Sequence, residues 1–243
     1  MIHFVVPFFN NEGSLRADVL ALSGFLAGNL GEEFEIVLCN DGSTDGSIAV
    51  ARELERDLPS IRVVGYDVNR GRGYAVRFAA EDCDGGYLIF ADADLPRTTS
   101  LGHILTLAER LRDHHVVVGS RFLGQSETRR LWTRNLVGKM HRFFVRILFP
   151  RLDVHDPDAG FKGFDLAWLR KMSRASRMNR WSWDLEVLVI ARANGLNIAE
   201  IPIDWNERHA GHTSSVRVFR DAREEFSGML AIRRNLRNGL YRF

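Results

Sequence analysis

The sequence is poor in cysteine and in lysine. Only Cys39 and Cys83 are cysteines among its 243 residues, and only three of its 33 basic residues are lysines. Two thiols are too few for a structural zinc site or a disulfide framework, which predicts a reducing, cytoplasmic environment. Nearly all the positive charge is therefore arginine, whose planar fork of donors suits phosphate. A compositional bias of the genome is the simpler explanation of the same count.

Long apolar runs and an excess of one charge are also missing. No apolar run reaches the roughly 20 residues of a membrane helix, and residues 1–9 lead into a strand pattern rather than a signal peptide. The formal net charge is +2, so we expect no nucleic-acid partner. Hydrophobic residues make up 45%, enough for a sizeable core, and no repeat or linker interrupts the chain. We therefore expect a single domain over residues 1–243.

The first 120 residues alternate between strand and helix patterns. Strands are predicted at residues 2–7, 34–39, 61–66, 87–91 and 116–119. Helices are predicted at residues 15–30, 71–83 and 101–112, and a further helix follows the second strand and ends near residue 56. This alternation is typical of an α/β fold, in which helices cover both faces of a mostly parallel sheet.

The second half is less regular. It predicts a helix at residues 131–149 with an aromatic and apolar face, a polar loop at 153–162, a helix at 183–194 and a strand at 197–205. From residue 216 onward the pattern is an amphipathic helix, and residues 208–243 contain eight arginines and three acidic residues. Such a helix either lies on an anionic membrane or packs on its own domain with a solvated arginine face.

Polar clusters follow all five strands predicted in the first half. They occupy residues 7–12, 40–45, 69–73, 92–94 and 119–121. Ligands of parallel α/β sheets bind beyond the carboxyl ends of the strands. Five polar clusters on one edge of the sheet therefore predict a binding site there.

Two aspartates spaced by two residues, Asp92 and Asp94, follow the apolar run at residues 87–90. Their hard oxygen ligands suit Mg²⁺ or Mn²⁺, and either ion would also bind phosphate oxygens. The alternative is that one of these aspartates only caps a helix that starts near Thr98.

The Gly71-Arg72-Gly73 segment resembles part of a dinucleotide-binding fingerprint. It follows the third strand, however, and the third glycine is missing. The first strand ends in PFFNNE with no glycine-rich basic loop, which argues against a dehydrogenase and against a nucleotidyltransferase. A grip on a nucleotide by glycine backbone and Arg72 fits the segment better.

Taken in order, these motifs resemble those of the family 2 glycosyltransferases of GT-A fold, and among them the polyprenyl-phosphate (dolichyl-phosphate) mannosyl- and glucosyltransferases. The matching segments are VVPFFNNE at 5–12, EIVLCNDGSTDGS at 35–47, NRGRG at 69–73, DADLP at 92–96, GSRF at 119–122, DPDAGFK at 156–162, WDLE at 183–186 and EIP at 200–202. The resemblance covers roughly residues 2–221, and its DPDAGFK and WDLE segments favour the glucosyl branch.

The resemblance implies roles at the matching positions. On the donor side, Pro7, Glu12 and Asp41 would hold the nucleobase and ribose, and Asp92 and Asp94 would bind the metal and diphosphate. Arg208 would close on the diphosphate. On the acceptor side, Arg121 and Arg134 would contact the acceptor phosphate, and Asp156 and Asp184 would line the sugar pocket. The structural alternatives are that Pro7 only ends a strand, that Asp41 and Asp45 are turn or cap residues, and that Arg134 lies on a solvated helix surface.

The sequence departs from the family pattern at two places. Arg72 stands where lysine is common, and Thr213 and Ser214 replace a serine and a lysine after Arg208. The second departure weakens the predicted closure on the diphosphate. His209 and His212 lie beside it, and as lone loop histidines they are read as bystanders.

The resemblance thus implies a metal-dependent, inverting hexosyltransferase that uses UDP-glucose or GDP-mannose and a polyprenyl-phosphate acceptor. Residues 1–120 would hold the nucleotide sugar, residues 121–215 the acceptor, and residues 216–243 would form the C-terminal helix. Contact of this helix with the membrane would make the enzyme a peripheral membrane protein. Two alternatives stay open. The acceptor is a sugar or other hydroxyl, for which Asp184 is the first and Asp156 the second candidate base, or the chain is a non-catalytic nucleotide-sugar-binding protein.

Overall fold

The computed structural model describes residues 1–124, 126, 128–129, 132–206 and 218–243. For residues 128–129, 132–137 and 218–222 it describes the backbone alone.

In the described part of the chain, nine strands form two sheets. They are β1 (Ile2–Phe8), β2 (Phe34–Asp41), β3 (Ile61–Tyr66), β4 (Tyr87–Ala91), β5 (Val116–Ser120), β6 (Thr128–Arg129), β7 (Phe161–Asp165), β8 (Ile198–Pro202) and β9 (Trp205–Asn206). The main sheet has the order β3-β2-β1-β4-β7-β5-β8, and β6 pairs with β9 in a separate parallel ribbon. All pairs of the main sheet are parallel except those that β7 makes with β4 and β5.

Nine helices lie within the described ranges. They are α1 (Leu15–Asn29), α2 (Ser47–Asp57), α3 (Arg72–Glu81), α4 (Leu95–Thr98), α5 (Gly102–Arg110), α6 (Trp132–Leu148), α7 (Leu166–Ala175), α8 (Ser182–Ala193) and α9 (Val218–Arg237). With the strands they give the α/β fold with a mostly parallel sheet that the sequence predicts, so this prediction is confirmed.

The sheet is buried on both faces because successive side chains of a strand point to opposite sides. In β1, Val5 belongs to one hydrophobic cluster and Phe4 to the other. The first cluster also receives side chains from α3, α7, α8 and α9, and the second from α1, α2 and α5. This arrangement leaves the ends of the strands as the place for polar chemistry.

The region after residue 160 differs from the sequence prediction. The polar loop predicted at 153–162 ends earlier, because β7 begins at Phe161 and is followed directly by α7, and neither element is predicted from the sequence. The strand FKGFD contains the charged residues Lys162 and Asp165, so the sequence does not show the apolar run that is typical of a buried strand. It nevertheless lies inside the sheet, between β4 and β5. The strand predicted at 197–205 is divided into β8 and β9.

The C-terminal helix is held against the domain. Tyr241, fully buried, donates its hydroxyl to Glu186 of α8 at 2.6 Å, and Asn194 donates to the backbone oxygen of Tyr241 at 2.6 Å. Met229 and Ile232 of α9 are buried in the core. The second half of α9 therefore packs on the domain, and contact of its exposed face with a membrane stays a prediction. Among the described residues, no helix is long and apolar enough to cross a bilayer.

Candidate active site

The predicted polar clusters meet at one edge of the main sheet. Strands β1 to β4 are parallel neighbours, so their carboxyl ends share an edge. Strand β7 runs the opposite way, and its first residue, Phe161, lies opposite Ala91 at the end of β4. The end of β5 and the start of β7 therefore join the same edge.

Asp41, at the end of β2, organises the loop that leads into α3. It is 4% exposed and accepts hydrogen bonds from the Tyr66 hydroxyl at 2.8 Å, the Arg70 amide at 2.7 Å and the Gly71 amide at 2.9 Å. Gly71 has a φ of 98°, a conformation that favours glycine. The turn role of Asp41 is thus visible in the structure, and its predicted contact with the nucleoside stays a prediction.

Glu12 joins the loops that follow β1 and β2. Its carboxylate accepts from the Gly46 amide at 3.1 Å, and its own amide donates to Asp45 at 3.3 Å. A side chain at position 46 would overlap the Glu12 carboxylate. Asp45 also accepts from the Ser47 amide at 3.0 Å, as expected of a turn residue. These contacts build the rim on which the nucleoside is predicted to lie.

Pro7 lies within β1 and not at its end, because the strand continues to Phe8. It is in register with Cys39 of β2 and lies beyond Val5, the last residue of β1 in register with β4. Proline has no N–H to donate, so it is tolerated where a strand has lost one of its neighbours. Pro7 therefore belongs to the part of β1 that enters the site.

Arg72, the first residue of α3, bridges two of the predicted site carboxylates. Its Nη1 donates to both oxygens of Asp92 at 2.8 Å, and its Nη2 donates to Asp184. Asp184, in the first turn of α8, is fully buried and also accepts from Lys162 Nζ at 2.8 Å. The end of β4, the start of α3, β7 and α8 are thereby tied together by one network of charges.

Asp94 has a different environment from Asp92. Burial, together with the charge of Asp92, raises the pKa of Asp94 to about 6. Its side chain makes no capping hydrogen bond to α4, which begins at Leu95 and ends at Thr98. Asp94 thus occupies the N-cap position of α4 without capping it through its side chain, and this helix ends, rather than starts, at Thr98. Asp94 is a half-buried carboxylate whose charge is opposed by its surroundings.

The loop that precedes β7 holds Asp92 in place. The Asp92 amide donates to the Gly160 carbonyl at 3.0 Å. A Cβ atom at position 160 would overlap the Asp92 carboxylate and come within 3.0 Å of Arg72 Nη1. Only glycine fits between these groups without displacing them.

Arg121 and Asp156 form a bidentate ion pair on the other side of the site. Arg121 donates to Asp156 from Nε at 2.7 Å, from Nη2 at 2.8 Å and from its backbone amide at 2.9 Å. The Asp156 amide in turn donates to Glu200 of β8 at 3.1 Å. The sequence predicts separate roles for Arg121 and Asp156, and the structure brings the two side chains into direct contact.

Asp158 connects this side of the site to α6. Its carboxylate lies 2.7 Å from His141 Nδ1. Burial acts to raise the pKa of Asp158, but the nearby charge of His141 outweighs it, and the net pKa is below the usual value. Burial likewise acts to lower the pKa of His141, and Asp158 reverses this, so the net pKa is raised.

Two carboxylates at the end of β4, Asp92 and Asp94, are the candidate ligands of a divalent cation. Asp92 is paired with Arg72, and the charge of Arg97 acts on Asp94. Within the described ranges no three Asp, Glu, His or Cys side chains are arranged as a complete metal site. The Asp92 and Asp94 pair would therefore need further oxygen ligands, which a diphosphate has.

Several contributing residues were not predicted. Lys162 is fully buried between Asp184 and the Ala159 carbonyl, and burial lowers its pKa. The Trp181 ring centroid lies 4.5 Å from the Arg72 guanidinium carbon, and the ring is 57% exposed at the rim. The sequence contains a signal for Lys162, since a lysine stands inside a motif of an arginine-rich chain. No local pattern marks Trp181.

Four predicted residues cannot be placed in this network. Arg208, His209 and His212 lie outside the described residues, and so does the side chain of Arg134, whose backbone belongs to α6. Their roles stay predictions.

Comparison with known proteins identifies the family. The model of "Glycosyl transferase family 2" matches residues 3–173. The chain is 31% identical over 213 residues to the glycosyltransferase AglD of Haloferax volcanii, and 31% identical over 217 residues to the dolichyl-phosphate beta-glucosyltransferase of Drosophila melanogaster. These alignments cover 85% and 84% of this chain but 33% and 66% of the relatives. The chain thus spans a third of the first relative and about two thirds of the second.

Solved structures agree with the fold. The glucosyl-3-phosphoglycerate synthase of Mycobacterium tuberculosis, in complex with Mn²⁺, UDP and glucosyl-3-phosphoglycerate, superimposes with a TM-score of 0.71 at 18% identity. The match covers 96% of this chain and 79% of that one. The GT-A fold predicted from the sequence is therefore confirmed, and with the family match over residues 3–173 the chain belongs to glycosyl transferase family 2.

Proposed function

We propose that this chain transfers a hexose from a nucleotide sugar to a polyprenyl phosphate. The observation that carries the proposal is the aspartate pair that follows β4 at the shared edge of the sheet, in which Asp94 is half-buried beside Asp92 and its pKa is raised to about 6. Such a pair favours binding of a cation and, through it, of a diphosphate. The relatives named dolichyl-phosphate beta-glucosyltransferase support a lipid phosphate as acceptor and glucose as the sugar.

In this proposal, residues 1–120 hold the donor. Pro7, Glu12 and Asp41 form the nucleoside rim, and Asp92 and Asp94 hold Mg²⁺ or Mn²⁺. When bound, the ion neutralises charge on the leaving nucleoside diphosphate. UDP-glucose is the first donor to test, because the mycobacterial synthase of the same fold was crystallised with UDP and Mn²⁺. GDP-mannose is the second.

Residues 121–215 hold the acceptor and the sugar. Asp156 and Asp184 belong to the sugar pocket, where their buried carboxylates hold Arg121 and Arg72 in position, and Arg121 and Arg134 place the acceptor phosphate. Arg208 closes on the diphosphate, and residues 216–243 form the amphipathic helix. Because the proposed acceptor is a lipid, the domain would work at a membrane, and the low cysteine content favours the cytoplasmic face.

The environment of Asp184 favours an acceptor that is already anionic. Its oxygens accept from Arg72 and Lys162, and the side chain is fully buried, so it is poorly placed to take a proton from a hydroxyl. A phosphate oxygen needs no base. It attacks the anomeric carbon while the bond from that carbon to the diphosphate oxygen breaks, which inverts the configuration. The chain contributes position and charge, which are sufficient for such a displacement.

Calorimetry tests the donor site. The protein is titrated with UDP-glucose, UDP and GDP-mannose, each with Mn²⁺ and with chelator. We expect metal-dependent binding of one nucleotide, and no binding of any of them would refute the proposal.

A transfer assay then separates the remaining alternatives. Labelled sugar is offered with a short polyprenyl phosphate and, as the matched control, with the corresponding polyprenol. Transfer to the phosphate alone supports the proposal. Transfer to a hydroxyl supports the second candidate function with Asp184 as base, and binding without transfer to either supports a nucleotide-sugar-binding protein.

A further inference from the structure

Helices α6 and α9 expose apolar side chains next to each other. On α6 these are Met140, Phe143 and Ile147, which are 54%, 61% and 55% exposed. Their spacing of three and four residues places them on one face of the helix. On α9, Phe226 and Leu230, four residues apart, are 40% and 47% exposed. We call these five residues the α6–α9 patch.

Two contacts make the patch one continuous surface. The ring of Phe144 on α6 lies edge-on to Phe226 of α9, with centroids 5.4 Å apart. Arg233 of α9 donates to the carbonyl of Leu148 at the end of α6. The two helices are thus fixed side by side, and the patch does not depend on a free C-terminal helix.

The charge around the patch has one sign on α6. The helix Trp132–Leu148 contains Arg134, Lys139, Arg142 and Arg146 and no acidic residue. Lys139 and Arg146 are exposed. α9 has its acidic residues in its first half and Arg233, Arg234 and Arg237 towards its end. Exposed aromatic and aliphatic side chains among basic ones are the pattern of a helix that lies in the interface of an anionic bilayer.

The opposite face of α6 contacts the candidate active site. His141, next to Met140 in the chain, is 10% exposed and pairs with Asp158, while Val145 is buried in the core. A bilayer that contacts the outer face of α6 would lie one helix diameter from the acceptor side of the site, about 10 Å.

We propose that the α6–α9 patch is the surface by which this domain docks on an anionic lipid bilayer. The inference rests on the proposed function, because it brings the active site to an acceptor that resides in a membrane. It extends the membrane contact beyond the C-terminal helix and makes α6 the principal contact.

Vesicle co-sedimentation of the full chain tests this proposal without any sugar donor. The vesicles are phosphatidylcholine alone and phosphatidylcholine mixed with phosphatidylglycerol. We expect binding to the mixed vesicles that is lost at about 1 M salt, where screening acts over ~3 Å. The double variant F143S/I147S should bind at least about tenfold more weakly, because it loses two apolar side chains that would insert.

Two matched variants make the result specific. Leu20→Ser removes an apolar side chain that is 46% exposed on α1, outside the patch, and should bind as the unchanged protein does. K139E/R146E reverses two exposed charges of α6 and should lose binding to the mixed vesicles. Thermal melts check that each variant is folded. We expect folded variants, because the side chains at the substituted positions 20, 139, 143, 146 and 147 are all exposed.

The proposal is overturned if the unchanged protein does not bind the mixed vesicles, or if F143S/I147S binds them as tightly as the unchanged protein. It is also overturned if Leu20→Ser loses as much vesicle binding as F143S/I147S. A change of oligomeric state in F143S/I147S without vesicle binding would assign the patch to a second copy of the chain instead. Vesicle binding is independent of sugar transfer. A chain that binds vesicles and transfers no sugar therefore contradicts the proposed function and leaves the patch standing.

Discussion

At the scale of single residues, Asp94 combines a cost in stability with a proposed role in binding. A half-buried carboxylate next to Asp92 adds a like charge in a place of reduced solvation. Proteins retain such groups where a ligand compensates them, which is the trade between stability and function expected of binding sites.

Replacement of Asp94 by asparagine should therefore separate stability from binding. In chelator, Asp94→Asn should be more stable than the unchanged protein by roughly 1–2 kcal/mol, because a neutral amide removes the like charge beside Asp92. Its Mn²⁺-dependent binding of nucleotide should be lost. Urea denaturation and calorimetry measure the two effects. The control, Asp82→Asn at the exposed end of α3, should change neither stability nor nucleotide binding. A D94N variant that binds nucleotide as before would show that Asp94 does not belong to the metal site.

Gly160 offers a second test at this scale. A methyl group at this position would overlap the Asp92 carboxylate, so Gly160→Ala must displace Asp92 from Arg72. We expect nucleotide binding with Mn²⁺ to weaken by about tenfold or more. Gly28→Ala, in open space on α1, is the control and should gain roughly 0.5–1 kcal/mol in stability with unchanged binding. Equal binding by both variants would show that Asp92 need not be held where it lies.

At the scale of elements, the pairing of His141 with Asp158 fastens α6 to the loop before β7. The direction of each pKa shift sets the pH range of this contribution. The raised pKa of His141 means that its share is present below the unfolded value of about 6.5 and is lost as the pH rises through the folded value. The lowered pKa of Asp158 means that its share is present above about 3.9 and is lost in acid.

We therefore expect His141→Asn to cost more stability at pH 5.5 than at pH 8.5. The difference should be about 0.5–1 kcal/mol, because Asp158 is 39% exposed and water screens the pair. Urea denaturation at the two pH values measures it, with His114→Asn as the control histidine. A loss that is the same at both pH values would mean that the ring contributes packing and not charge.

At the scale of the whole molecule, a ligand that binds only the folded protein must raise its melting temperature. With Mn²⁺ and UDP-glucose at a hundredfold excess over the dissociation constant, mass action adds about 2.7 kcal/mol. For a chain of 243 residues this corresponds to a rise of roughly 5–10 °C. Differential scanning fluorimetry measures the shift, with chelator and with GDP-mannose as the comparisons. A rise of equal size in chelator would contradict a donor site that depends on the metal.

The sequence alone determined the first half of the molecule closely. Strands β3 and β4 begin and end where the hydrophobic pattern predicts, because a buried parallel strand is a short continuous apolar run between turn residues. The ordering of polar clusters after these strands was enough to predict the edge at which Asp41, Arg72 and Asp92 meet, since parallel strands end at one edge.

Tertiary structure alone decided the centre of the sheet and the partners of the site residues. Strand β7 carries charges and no clean alternation, so local pattern conceals that it pairs with both β4 and β5. The bridge from Arg72 to Asp184 joins residues 112 positions apart, and Lys162 reaches Asp184 from β7. Such contacts depend on which strands are neighbours in the folded sheet, and that order is set by long-range pairing and packing, which spacing along the chain does not encode.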